Sequence, residues 1–323
     1  MRAVVVPEHG GVDVLRVEEL ARPEPGAGQL LVQVAASGVN FIDVYRREGR
    51  YPVETPFVLG GECAGRVVAT GPQLTDIVVG DVVATAAAAT GTHAEYALVD
   101  AVQAVPVPDG VDADVAAAAM LQGMTAHYLV NSTYPVRDGD AVLVHAAAGG
   151  VGQLLVQLAK AKGARVIGTV GSAAKVEIAR DAGADDVIRY DEVEDVAAAV
   201  RDLVPDGVHA VYDGVGQATF EASLASLRRR GMLVLFGAAS GAVPPFDLQR
   251  LNAAGSLFVT RPTLVHYTAD RDELLWRSGD VLDAIADGSL RVAIGGRYSL
   301  DDAAQAYRDL EGRASTGKLL IVP

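Results

Sequence analysis

One segment constrains this chain more than any other: Val142-Leu143-Val144-His145-Ala146-Ala147-Ala148-Gly149-Gly150-Val151-Gly152, running on into Gln153-Leu154-Leu155-Val156-Gln157-Leu158-Ala159. A short apolar run of strand type meets a turn of Ala and Gly, and an amphipathic run of helical type follows. Set on the pattern G-x-G-x-x-G, the positions are Ala147, Gly149 and Gly152. Gly149 lets the backbone approach a pyrophosphate, and Gly152 lets the helix pack closely on the strand. The helix N-terminus then offers free N–H groups and the positive end of its dipole. Ala147 departs from the pattern at its first glycine. Gly-rich turns also open helices for packing reasons alone, so the context decides: a strand before, a helix after, and a second strand about 20 residues on.

That context extends along the middle of the chain. Strands are expected at 140–145, 165–170, 186–190, 210–212 and 232–236, with helices at 112–131, 152–162, 172–182, 193–203 and 219–230. Alternation at this spacing means an α/β fold, a doubly wound parallel sheet wrapped by helices. The first 110 residues read differently. Short runs at 3–6, 29–35, 64–70, 81–85 and 94–99 are punctuated by Gly10-Gly11, Pro23-Glu24-Pro25-Gly26, Gly71-Pro72 and Gly80-Asp81, the pattern of a small, mostly β domain. Helices are expected at 271–287 and 300–311. The final Lys318-Leu319-Leu320-Ile321-Val322 is a strand that needs a sheet to join, and a return to the first domain would make that domain discontinuous.

Composition removes whole classes. The formal net charge is −14 with no Lys/Arg cluster, which disfavours nucleic acid and anionic membrane surfaces as partners. The single cysteine, Cys63, rules out a disulfide framework and any cysteine-based zinc site. It reads as buried packing in a reducing, cytoplasmic setting. The N-terminus carries no run of signal-peptide length, and Val115–Val130, broken by Gln122, Gly123 and His127, falls short of a membrane span. Gly312-Arg313-Ala314-Ser315-Thr316-Gly317-Lys318 imitates the start of a P-loop, but Leu319 stands where a Ser or Thr hydroxyl is needed and no helix has room to follow. No G-x-S-x-G elbow occurs. The six histidines are scattered without metal spacing, and His145 reads as packing.

The end of the second parallel strand chooses between nucleotides. An NAD site usually places Asp or Glu there for the ribose 2′-hydroxyl. Here Gly168-Thr169-Val170-Gly171-Ser172-Ala173-Ala174-Lys175 offers no carboxylate, but a small Gly/Ser loop and a cation able to donate to a 2′-phosphate. NADPH is therefore expected. The competing reading makes Lys175 a solvated helix residue.

Several segments together resemble one family: Gly38-Val39-Asn40-Phe41-Ile42-Asp43, Leu59-Gly60-Gly61-Glu62-Cys63-Ala64-Gly65, Val79-Gly80-Asp81-Val82-Val83, Ala146–Gly152, Tyr212-Asp213-Gly214-Val215-Gly216 and Val259-Thr260-Arg261-Pro262. The chain resembles the medium-chain dehydrogenase/reductase superfamily, and within it the zinc-free NADPH:quinone oxidoreductases of the zeta-crystallin type. The resemblance implies a GroES-like catalytic domain at 1–122 and 266–323, with a Rossmann domain at 123–265 inserted in it. It also implies a homodimer formed through the Rossmann domain. Zinc-dependent relatives carry a Cys where this chain has Gly38-Val39-Asn40, and Gly-His-Glu where it has Gly60-Gly61-Glu62. By matching position, NADPH contacts are implied for Phe41, Ile42, Asp43, Val44, Tyr45, Thr125, Gly149, Gly150, Val151, Gly152, Gly171, Ser172, Lys175, Tyr190 and Val215. The same carry-over implies Gly237, Ala238, Ala239, Ser240, Gly241, Ala242, Phe258, Val259, Thr260 and Lys318. Lys175 and Tyr190 would cradle the 2′-phosphate.

Hydride transfer to a small quinone leaves negative charge on oxygen, and neutral donors in a dry cleft can stabilise it, each contributing about 10²–10³ in rate. Asn40, Tyr45 and Tyr51 lie in the segment that replaces the zinc-binding strand and are the catalytic candidates. Reduction of the C=C bond of α,β-unsaturated aldehydes or ketones uses the same cofactor and charge development and remains the alternative. A crystallin-like structural role or RNA binding is disfavoured by the intact Gly loop, Lys175 and Tyr190, and by the charge.

Overall fold

The computed structural model describes residues 1–72, 74–312 and 315–323, so Arg313 and Ala314 of the P-loop imitation lie outside the described residues. The chain divides into two units, Met1–Met124 with Ala269–Pro323, and Thr125–Thr268.

In the second unit six parallel strands form one sheet. In chain order they are Ala141–Val144, Arg165–Val170, Asp186–Arg189, Val208–Asp213, Leu227–Leu235 and Phe258–Thr260, and their spatial order is 3-2-1-4-5-6. The order reverses between the first and fourth strands, the place where doubly wound folds bind ligands at the carboxyl ends. The central strands are apolar throughout because helices cover both faces: Val142, Leu143, Val166, Ile167, Val211 and Leu233 are fully buried. Helix Gly150–Ala161 turns Leu154, Leu155, Val156 and Ala159 onto the sheet.

One sequence expectation is corrected here. The helix expected at 219–230 stops at Ser226, and Leu227 already pairs with Val208 as a strand. Arg228, Arg229 and Arg230 suit a helix by propensity, but pairing with the neighbouring strand overrides that preference.

In the first unit the Gln29–Val39 strand is the hub. It pairs antiparallel with Cys63–Thr70, Tyr96–Asp100 and the terminal Lys318–Ile321. Leu30, Val32, Val67, Val83 and Val99 pack on its apolar face. The register Leu319↔Val39 and Ser37↔Cys63 brings three strand ends to one point, with Asn40, Glu62 and Lys318 one residue beyond the paired positions.

Candidate active site

At the carboxyl ends of the parallel strands in the second unit, the Gly-rich turn leaves the first strand through Ala146, whose φ of 52° lies in the left-handed region. The Ala147 N–H donates to Thr169 O and the Gly149 N–H to Ala146 O, and the helix begins at Gly150. A Cβ on Gly152 would stand 2.2 Å from Ala146 O, so helix and turn touch backbone to backbone. The Gln153 side chain donates back to Ala148 O at 2.9 Å and braces the turn.

The end of the second strand gathers Gly171, Ser172, Lys175 and Tyr190. The Tyr190 hydroxyl lies 2.2 Å from where a Gly171 Cβ would be, so the phenol covers that glycine. Lys175 sits in the first turn of helix Ala174–Asp181 and is half-buried.

The fourth strand ends at Asp213, fully buried, whose carboxylate shapes the next turn. Oδ1 accepts from the N–H groups of Val215 (2.8 Å) and Gly216 (3.0 Å), and both oxygens accept from Thr219 Oγ1. Ser223 Oγ donates to Asp213 Oδ2 at 2.7 Å and bonds His145 Nε2 at 3.0 Å. His145 Nδ1 meets Thr169 Oγ1 at 2.9 Å. Because the Ser223 proton goes to the carboxylate, His145 Nε2 must donate and Nδ1 must accept from Thr169. Burial holds this imidazole below its ordinary pKa, against the pull of the Asp213 charge. One buried chain therefore joins the ends of the first, second and fourth strands. The turn it shapes interlocks with the 237–242 loop: the Ser240 N–H donates to Val215 O, and a Cβ on Gly237 would meet Gly214 O at 2.3 Å.

In the first unit, Asn40 ends the hub strand and caps helix Phe41–Arg47. The cap is reciprocal: the Asn40 N–H donates to Asp43 Oδ2 at 3.0 Å, and the Asn40 side chain accepts from the Asp43 N–H. The Asn40 Nδ2 group donates to Glu62 Oε2 (2.8 Å) and Gly38 O (3.2 Å), while Oδ1 accepts from Lys318 Nζ (2.7 Å). Lys318 Nζ also pairs with Glu62 Oε2 at 2.5 Å, and Glu62 Oε1 accepts from the Leu121 N–H. Beneath them His93 bridges Ser37 Oγ and the Tyr307 hydroxyl, each at 2.7 Å. Burial, helped by the Lys318 charge, pushes His93 down to about 3, and burial pushes Asp43 up to about 6 against the nearby Arg46. Burial also pushes the Cys63 thiol up to about 12, which makes it inert.

The structure thus brings together Gly149, Gly150, Val151 and Gly152 at one helix start. It gathers Gly171, Ser172, Lys175 and Tyr190 at one strand end, and interlocks Val215 with Gly237–Ala242. Thr125 is buried on helix Ala113–Tyr128. Phe258, Val259 and Thr260 form an edge strand whose first two side chains are exposed. Phe41 and Ile42 are half-buried, whereas Asp43 and Val44 point into the core. Lys318, expected at the nucleotide, directs its ammonium at Glu62 and Asn40 within the first unit. Tyr45 is buried with the edge of the more exposed Tyr51 packed on it. Sequence reasoning missed Glu62, Asp213 and Ser223 as site residues, although Gly61-Glu62 and Tyr212-Asp213 stand in segments that carry the resemblance. Among the described residues no group of three His, Cys, Asp or Glu side chains could hold a metal ion, and no helix is long and apolar enough to cross a membrane.

Residues 26–109 match the profile of the alcohol dehydrogenase GroES-like domain, and residues 150–270 that of the zinc-binding dehydrogenases. The chain is 43% identical over 320 residues to a quinone oxidoreductase of Salmonella typhimurium, covering 98% of each. It is 40% identical over 329 residues to a 2-haloacrylate reductase of a Burkholderia species, covering 99% of this chain and 98% of that one. A mycobacterial protein solved in complex with NADPH superposes with a TM-score of 0.97 at 52% identity, each chain covered in full.

Proposed function

The chain belongs to the quinone oxidoreductases of the medium-chain dehydrogenase/reductase superfamily, and on that footing we propose that it reduces small quinones by two electrons at the expense of NADPH. The observation that carries the reading is the cradle at the carboxyl ends of the parallel strands. Backbone meets backbone at Gly152, Phe236–Gly237 closes on Gly214, and Gly171, Lys175 and Tyr190 gather at the end of the second strand, a set that suits a ribose phosphate. Added Cβ atoms at Gly152, Gly171 or Gly237 would meet Ala146 O, the Tyr190 hydroxyl or Gly214 O within 2.2–2.3 Å, so these glycines are what let the turns of the cradle close on their neighbours.

When bound, NADPH supplies the hydride that reduces the acceptor. This chain's residues do the rest. The N–H groups at the start of helix Gly150–Ala161 and the Lys175 ammonium hold phosphate charge. Asn40, nine-tenths buried, offers an amide hydrogen to the acceptor oxygen as charge grows there: the hydrogen resting on Gly38 O at 3.2 Å is the less strongly held of its two. Tyr45 and Tyr51, packed ring against ring on and just beyond the helix that Asn40 caps, are the further donors of this reading. A second reading, reduction of the C=C bond of an α,β-unsaturated carbonyl compound, is favoured by the likeness to the 2-haloacrylate reductase. The exposed Phe258 and Val259 on the edge strand suit pairing of two copies, and the −14 charge and lone buried Cys63 suit a cytoplasmic enzyme that leaves nucleic acid alone.

The test is loss of NADPH absorbance with 1,4-benzoquinone and, in parallel, an alkenal, with NADH as control. Turnover with the quinone and NADPH, and at least tenfold less with NADH, is the expected result. No NADPH oxidation with either acceptor would defeat the reading.

A further inference from the structure

We propose that Lys318 and Glu62 are positioning residues that lock the direction of the Asn40 side-chain amide, so that its NH₂ group, never its carbonyl, is presented to an acceptor oxygen; this rests on the Asn40 role given above. The two ends of an asparagine amide have nearly the same shape, so only the hydrogen-bond partners decide which way it faces. Here they decide without ambiguity. Asn40 Oδ1 accepts from the Lys318 ammonium and Nδ2 donates to the Glu62 carboxylate. A flipped amide would set its carbonyl against the carboxylate and its NH₂ against the ammonium, two repulsive contacts in place of two charge-assisted bonds.

The fold gives up a good deal to keep this arrangement. Lys318 and Glu62 side chains are both fully buried, and desolvating an ion pair is costly enough that apolar replacements often do as well for stability. The hub strand also carries a glycine at 38, which weakens a strand. A Cβ there would stand 2.0 Å from Glu62 Oε2 and 2.8 Å from Lys318 Cε, so the ion pair and any side chain at position 38 exclude each other. The lock is itself fixed, because Glu62 Oε1 takes the Leu121 N–H and cannot rotate away. Lys318 polarises the amide it holds, which makes the NH₂ hydrogens stronger donors. Its ammonium is aimed at this amide and carboxylate.

The decisive variant is the neutral pair Glu62→Gln/Lys318→Met, which leaves no charge buried alone. Glu62→Asp, which keeps both charges but draws the carboxylate back, serves should the pair not fold. NADPH affinity is read by fluorescence, kcat and KM by benzoquinone reduction at saturating NADPH, and the amide itself by NMR of the Asn40 side chain. We expect NADPH Kd within about threefold of the parent and kcat down at least tenfold. The two Asn40 amide protons, well separated and slow to exchange in the parent, should draw together and exchange faster in the variant. Parent-like kcat in either variant, or NADPH Kd raised tenfold with kcat retained, overturns the lock; the second result would make Lys318 a nucleotide contact. A parent inactive with every acceptor but showing the locked amide defeats the functional reading alone.

Discussion

Asp213 takes two backbone N–H groups and two hydroxyls on one carboxylate, and through Ser223 it holds His145 at the mouth of the Gly-rich turn. Ser223→Ala cuts that chain and leaves the buried His145 Nε2–H unpaired, a loss of about 1–3 kcal/mol. The expected outcome is a lower thermal midpoint and a several-fold higher KM for NADPH, with KM for the quinone unchanged. Two other buried groups set an acid limb. His93 is lowered from 6.5 to about 3, so the unfolded chain takes up its proton first, and stability falls as pH drops below 6.5. Asp43 is raised from 3.8 to about 6, so the folded state takes up its proton first. The stability it contributes is full below 3.8 and lost as pH rises through about 6. The two oppose one another between pH 4 and 6. Melting curves from pH 7 to 4 are expected to show the acid loss flattened in His93→Gln and steepened in Asp43→Asn. His145 shows how a residue escapes a sequence reading: an apolar strand end suggests packing, and only the hydroxyls of Thr169 and Ser223, 24 and 78 residues away, make it part of a polar chain.

At the scale of elements, the strand–turn–helix at 141–161 was legible because every local signal agrees: apolar run, glycines, helical period. Gly152→Ala tests how much that junction depends on one missing atom. The added Cβ meets Ala146 O at 2.2 Å, so the helix must move off the turn, at about 1–3 kcal/mol. NADPH Kd measured by fluorescence should rise at least tenfold, and parent-like binding would show that the turn tolerates the shift. Two elements were not legible for opposite reasons. Helix Phe41–Arg47 is only seven residues long, too short for periodicity to reveal, although the Asn40…Asp43 capping signature stood in the sequence. The strand from Leu227 begins within residues of good helix propensity, and a pairing with Val208 made in space is what converts it. The buried polar trio was hidden likewise: Asn40, Glu62 and Lys318 meet only because three strands fall into register.

For the whole molecule, the chain leaves the first unit after Met124 and re-enters it at Ala269, and the second unit closes its own ends: Tyr128 and Tyr267 stack with ring centres 4.2 Å apart and planes at 9°. Adjacent ends are what allow one unit to be inserted in another. The edge strand makes an assembly prediction. The parent is expected to sediment as a dimer and Phe258→Glu/Val259→Lys as a monomer, and a variant that still dimerises would place the interface elsewhere. On the function proposed above, a chain with 14 excess negative charges nevertheless grips a ribose phosphate through Lys175 at the end of the second strand. This is tested most directly by kcat/KM for NADPH and for NADH with benzoquinone, in the parent and in Lys175→Glu. The variant should lose at least tenfold with NADPH and little or nothing with NADH. A variant that uses NADPH as well as the parent does would contradict it.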